Sequence, residues 1–272
     1  MENRPENRIK ALFREKKENI LSVYFTAGFP QIMDTGPILQ TLQASGVDLI
    51  EIGIPFSDPL ADGPIIQQSS MVALENGMTL RALFAQLEDI REKVTVPLIL
   101  MGYLNPVLQL GMEKFCQEAE RIGIDGLILP DLPLYEYEET YRDLFQKHGL
   151  SLVSLITPQT SEQRIWQIDA LTDSFIYMVS SASTTGNQQQ ASNKIKLDYF
   201  ERLRDMGLQN PRLIGFNISD HASCSQAGTD AQGAIIGSAF IKALAGEGEL
   251  RGKITRFIQA VRQGAMSELA NE

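Results

Sequence analysis

Residues 48–64 read DLIEIGIPFSDPLADGP, a short strand-forming run followed by a loop dense in proline, aspartate and glycine. Side chains alternate along a strand, so Leu49, Glu51 and Gly53 share one side while Ile50, Ile52 and Ile54 share the other. The isoleucines supply an apolar face for packing against helices, which leaves Glu51 pointing the opposite way. In a closed parallel barrel that direction is the interior, near the C-terminal mouth where barrel enzymes place their chemistry.

Working outward, similar apolar and β-branched runs recur at Ile20–Phe25, Pro97–Met101, Gly126–Leu129, Leu152–Ile156, Phe175–Val179, Arg212–Ile218 and Gly233–Ile236, which with Asp48–Ile54 makes eight. Between them lie segments with helical spacing and charged faces: Leu80–Lys93, Glu113–Ile122, Glu136–His148, Glu162–Ala170 and Lys196–Met206. Additional helices are expected at Asn7–Lys17, before the first strand, and at Pro64–Asn76, after the second; Leu250–Gln263 closes the chain. Alternating apolar strands and helices imply a parallel sheet covered on its outer side. Eight evenly spaced units predict an α/β fold, a (β/α)8 barrel spanning residues 1–272 as one domain, with extra helices at the N-terminus and after strand 2. An open doubly wound sheet is the alternative, and the even spacing argues against it. The low-complexity patch Asn187–Asn193 reads as loop.

The chain has 272 residues, 43% of them hydrophobic, and a net charge of −10. That charge disfavours nucleic acid and does not attract an anionic metabolite, so any phosphate has to be captured locally by backbone amides at a glycine turn or a helix N-terminus. The apolar runs are shorter than a membrane helix requires and Met1–Lys10 is polar rather than signal-like, which points to a cytoplasmic protein with no membrane partner. Cys116 and Cys224 are too few for a disulfide framework and are not spaced as metal ligands; no metal site is expected.

An inward Glu51 near the barrel mouth should hold its proton more tightly than a solvated carboxyl, as a group that gives and takes protons near neutral pH requires. A structural reading stands beside it: pairing with an inward Lys or Arg, or satisfaction by backbone donors. Asp62, followed by Gly63 and Pro64, also fits a helix cap, and Asp58 before Pro59 fits a turn former.

The run EIGIPFSDPLADG, Glu51–Gly63, resembles the signature of the tryptophan synthase alpha subunit family. The resemblance continues in YFTAGFP (Tyr24–Pro30), LMGYLNPV (Leu100–Val107), DGLILPDLP (Asp125–Pro133), LITPQTS (Leu155–Ser161) and GAIIGSAF (Gly233–Phe240). It implies retro-aldol cleavage of indole-3-glycerol phosphate to indole and glyceraldehyde 3-phosphate. Glu51 would be the acid/base group, and Asp62 would stabilise positive charge at the indole nitrogen. Tyr24, Leu100, Tyr103 and Tyr177 match residues lining the substrate, and Gly215, Phe216, Asn217, Gly237 and Ser238 match the phosphate site. Taken alone, the glycine followed by serine at 237–238 also fits a tight turn and helix cap.

The long stretch Ser180–Asn193 reads either as a solvated connector or as an active-site lid, and the resemblance implies the lid, with Thr185 reaching Asp62 and Gly186 reaching the phosphate. Three positions depart from the family pattern: Ser181 replaces arginine, and Ser183 and Asn217 replace glycine. Asn is the non-glycine residue that best tolerates a left-handed backbone. His148 and His221 match no catalytic position and read as helix-end or surface residues. The resemblance further implies a pyridoxal-phosphate beta subunit in an αββα heterotetramer, met by Pro55, Asp58 and Asn105, with no cofactor in this chain. Competing readings are another phosphate-binding barrel enzyme and a barrel kept only as an allosteric subunit.

Overall fold

The computed structural model describes residues 6–179, 189–215 and 217–264, with side chains of the helix that begins at Gln189 described from residue 197. The strands are β1 (Ile20–Thr26), β2 (Leu49–Gly53), β3 (Leu98–Met101), β4 (Gly126–Ile128), β5 (Ser151–Leu152), β6 (Leu155–Ile156), β7 (Ile176–Val179), β8 (Arg212–Gly215) and β9 (Gly233–Ile236). All the pairs are parallel, in the order β5-β4-β3-β2-β1-β9-β8-β7-β6.

β5 and β6 are two halves of one barrel strand. Val153 N–H donates to the Leu127 carbonyl at 2.9 Å, on the β4 side, while the Ser154 carbonyl accepts from Tyr177 N–H at 3.0 Å, on the β7 side. The segment from 151 to 156 thus joins both ends of the sheet and closes it into the eight-stranded barrel expected from the sequence.

Alternation along the strands sorts the core into two layers. Ile50, Ile52 and Ile54 pack outward with Val23, Phe25, Leu98 and Leu100 against the helices. Leu49, Ile99, Ile128, Val153, Leu213 and Ile235 fill the interior. The helix Arg8–Glu15 plugs the N-terminal end, inserting Ile9 and Phe13 into that inner layer, with the Phe13 and Phe175 rings 5.4 Å apart. Asn7 caps this helix and ties it down: its side chain accepts from Ile9 N–H and donates to the carbonyls of Asp125 and Gly149. The buried Asp125 carboxylate completes the floor by accepting from Arg8, Arg91 and Leu98 N–H. One end of the barrel is therefore sealed and the other is left for chemistry.

The helices differ from the sequence expectation in several places. The segment expected at Leu80–Lys93 is a helix Leu80–Gln86 and a 3-10 turn Ile90–Glu92. Glu136–His148 is interrupted by a π turn, Tyr137–Tyr141. The patch at 187–193, read as loop, belongs from Gln189 onward to the helix Gln189–Asp205; glutamine and alanine are good helix formers, which its low complexity masks. Strand β8 stops at Gly215 rather than running to Ile218, because Asn217 turns into the left-handed region. The helices Thr35–Ala44, Leu104–Leu110 and His221–Ala227 had no place in the sequence reading. Among the described residues no helix is long and apolar enough to cross a membrane.

Candidate active site

Glu51 sits on β2 with its side chain fully buried inside the barrel. The Ser22 hydroxyl donates to its Oε1 at 2.7 Å, and Oε2 has no hydrogen-bond partner among the described residues. The structural alternatives of a cationic partner or backbone donors are thus not what holds it. Burial pushes its pKa up to about 7, and the Ser22 hydrogen bond opposes that rise only in part.

Asp62 lies half-buried in the loop after β2, and its pKa too is raised by burial against an opposing hydrogen bond from Tyr103. It does not cap the following helix. The N-cap of Pro64–Glu75 is Gly63, without a capping side chain, while Asp62 Oδ2 accepts from the Tyr103 hydroxyl at 3.0 Å. Tyr103 Oη also accepts from Ala61 N–H at 3.0 Å, and its ring lies 5.2 Å from that of Phe56. One tyrosine, from the loop after β3, therefore holds the acidic loop in place.

Tyr24 and Tyr177 line the same interior, and both carboxyl groups, Glu51 and Asp62, act electrostatically on each of them. Burial is the larger cause that keeps these phenols protonated. Their rings lie over glycines on the neighbouring strands. A Cβ at Gly53 would stand 2.2 Å from the Tyr24 hydroxyl oxygen, and one at Gly215 would stand 2.1 Å from that of Tyr177. Gly53→Ala is accordingly expected to displace the Tyr24 ring and destabilise the fold by about 1–3 kcal/mol, measured by urea unfolding. Wild-type stability would show that the ring has room to move.

A cleft at the mouth is lined by Tyr24, Ile54, Phe56, Asp62, Met101 and Tyr103, together with Pro59, Ser70, Gly102 and Pro130. Leu100, expected here, is instead in the outer layer, paired with Ile52 and fully buried. The alternation of β3 gives the mouth position to Met101, one residue later. Ser22 and Thr26 were also passed over, although the spacing of Ser22, Tyr24 and Thr26 puts three hydroxyls on one face of β1.

Next to β1, the adjacent strands β9 and β8 end at Ile236 and Gly215. Asn217 adopts φ +58°, the left-handed conformation anticipated for it. Gly237 precedes the helix Ser238–Ala245, whose first turn has no capping side chain. A helix N-terminus with uncapped amides beside a left-handed turn offers donors to an anion. Phe216, Thr185, Gly186, Ser181 and Ser183 lie outside the described residues, as do residues 180–188 of the closing loop expected at Ser180–Asn193; from Gln189 onward that segment is helix rather than loop.

Asp58 and Asn105 are exposed at the mouth, whereas Pro55, expected on the same partner-facing surface, is buried within the chain. Large apolar side chains stand out beside them on the segments after β2, β3 and β4: Leu60 is 91% exposed, Leu108 48% and Tyr135 67%. His148 Nδ1 pairs with Glu120 and His221 Nδ1 with the Val261 carbonyl, both at helix ends.

Residues 10–270 match the family model described as tryptophan synthase alpha chain. The tryptophan synthase alpha chain of Flavobacterium johnsoniae is 55% identical over 256 residues, covering 94% of this chain and 100% of the relative. That of Parabacteroides distasonis is 52% identical, with the same coverage of 94% and 100%. Among solved structures, tryptophan synthase subunit alpha from Legionella pneumophila superposes with a TM-score of 0.83 at 31% identity, covering 95% of this chain and 98% of that one. A crystal structure of tryptophan synthase from M. tuberculosis in its aminoacrylate-bound form gives 0.82 at 25% identity, over 96% and 100% of the two chains. Family model, relatives and barrel fold agree: this chain belongs to the tryptophan synthase alpha chain family.

Proposed function

We propose that this chain, acting as one barrel domain, cleaves indole-3-glycerol phosphate with Glu51 carrying the proton and Asp62 countering charge at the indole nitrogen. The observation that carries the reading is a carboxyl group buried inside a barrel with one oxygen held and the other unengaged by described residues, its pKa brought near neutrality. A group so poised both donates and accepts at pH 7.

The chemistry balances on a proton transfer within the substrate. Glu51 delivers a proton to indole C3, which makes the ring nitrogen electron-poor. The hydroxyl on the adjacent side-chain carbon gives up its proton, the C–C bond breaks, and its electron pair returns to the ring. Indole keeps the delivered proton at C3, glyceraldehyde 3-phosphate leaves with it, and the Glu51 carboxylate is reprotonated by the proton that the hydroxyl released. The products contain the substrate's atoms and no others, so the step calls for no redox partner. Asp62, held by Tyr103, offers a negative charge near the ring while that charge develops. Tyr24, Met101 and Phe56 supply apolar walls, and the amides of Gly237 and Ser238 with the turn at Asn217 receive the phosphate.

The apolar rim of Leu60, Leu108 and Tyr135 around exposed Asp58 and Asn105 supports docking of a beta subunit at the mouth. In this reading the partner carries pyridoxal phosphate, the assembly is an αββα heterotetramer in the cytoplasm, and indole passes between subunits rather than into water. The deciding measurement is release of indole from indole-3-glycerol phosphate by the purified chain, alone and with a beta subunit. We expect slow release alone and faster release in the complex. No release in either case would reject the assignment, and a rate unaffected by the beta subunit would reject the docking.

A further inference from the structure

The inner layer of the barrel is apolar at the level of Leu49, Ile99, Leu213 and Ile235, yet Ser22 lies among them, fully buried on β1. A hydroxyl in such surroundings is unfavourable unless it is hydrogen-bonded. Its partner is Glu51 Oε1, at 2.7 Å, from a position 29 residues away in sequence. The other hydroxyls of the same strand face are engaged elsewhere: Thr26 Oγ1 lies 2.6 Å from Ser69 Oγ, and Tyr24 Oη 3.4 Å from Thr26 Oγ1. Ser22 alone among them serves the carboxyl group.

We propose that Ser22 is a positioning residue for the acid/base carboxyl, pinning Oε1 so that Oε2 is the oxygen that gives and takes the proton. The inference rests on the reading of Glu51 above and sharpens it. A serine hydroxyl has one proton to donate, and with Glu51 ionised it goes to Oε1. When Glu51 takes up a proton, Oε1 is already occupied as an acceptor, so the proton settles on Oε2, which no described residue engages. Cleavage asks one group to serve two neighbouring substrate atoms, C3 and the hydroxyl oxygen. A carboxyl pivoted on one fixed oxygen presents the other to both with little reorientation. Among the described residues, Tyr24 and Tyr177 share the field, both kept neutral by burial, with Asp62 acting on both rings and Tyr103 on Tyr24. Because the Ser22 hydroxyl favours the ionised form, its removal raises the proton affinity of Glu51.

The test is Ser22→Ala, with Ser22→Thr as the variant that keeps the hydroxyl and Ser22→Cys as a weaker donor of similar size. In Ser22→Ala we expect the limb of the kcat/KM–pH profile governed by Glu51 to move up by about one pH unit, with kcat down roughly tenfold and KM little changed. Ser22→Thr should restore both, and Ser22→Cys should fall between. The Glu51 carboxyl can also be followed without turnover by carbon NMR of labelled glutamate, its resonance identified by its loss in Glu51→Gln. An unmoved limb and an unmoved NMR midpoint in both the Ala and Cys variants would overturn the positioning role even if Glu51 is catalytic. Full cleavage by Glu51→Gln would instead remove the acid/base reading and this inference with it.

Discussion

Glu51→Gln is expected to lower cleavage by roughly a thousandfold while making the folded chain more stable at neutral and alkaline pH. The two effects have one cause. Burial raises the Glu51 pKa from its ordinary 4.5 to about 7, so between those values the unfolded chain sheds this proton before the folded chain does. Stability associated with the protonated side chain is therefore fully present below pH 4.5 and is lost as pH rises through 7. Above that point the wild type holds a buried anion at a penalty on the order of 3 kcal/mol. Glutamine carries no charge and accepts the same Ser22 hydrogen bond through its amide oxygen. Urea unfolding of both proteins at pH 5 and pH 8 checks the sign: the advantage of the variant should be small at the lower pH and large at the higher. An equal difference at both would show that Glu51 does not titrate in this range. Activity near wild type would remove it from the chemistry.

Asp62→Asn is expected to reduce cleavage by about a hundredfold or more with the fold and the binding of glycerol phosphate intact. Asparagine still accepts from Tyr103, so the loop that carries residue 62 keeps its anchor; only the negative charge is lost. The loss should appear in kcat, because a charge that meets a developing cation acts on the transition state more than on the bound substrate. Steady-state kinetics, with calorimetric titration of glycerol phosphate, separates the two quantities. If kcat is unchanged, Asp62 is only part of the scaffold. If phosphate binding collapses with kcat, the substitution has disturbed the mouth as a whole.

The faces of β2 were legible because they depend on nearest neighbours: the alternation in Leu49–Ile54 by itself sends three isoleucines outward and Glu51 inward. Long amphipathic segments such as Leu250–Gln263 were legible for a similar reason, since their period is written in the chain. Thr35–Ala44 was not, because helix spacing in a short segment with few charges is hard to distinguish from loop. Leu100 shows how little tolerance a strand allows: a displacement of one residue exchanges the mouth for the outer layer, and Met101 holds the place.

What the amino-acid order determined alone was the alternating pattern, the inward carboxyl and the acidic loop beside it, all properties of residues adjacent or nearly so. Tertiary structure decided which hydroxyl meets which carboxyl: Ser22 with Glu51 across 29 positions, and Tyr103 with Asp62 across 41. Those partnerships are set by the register of neighbouring parallel strands and the placement of the loops above them. No local pattern specifies register, because it emerges only when the whole barrel closes and each strand settles against two others.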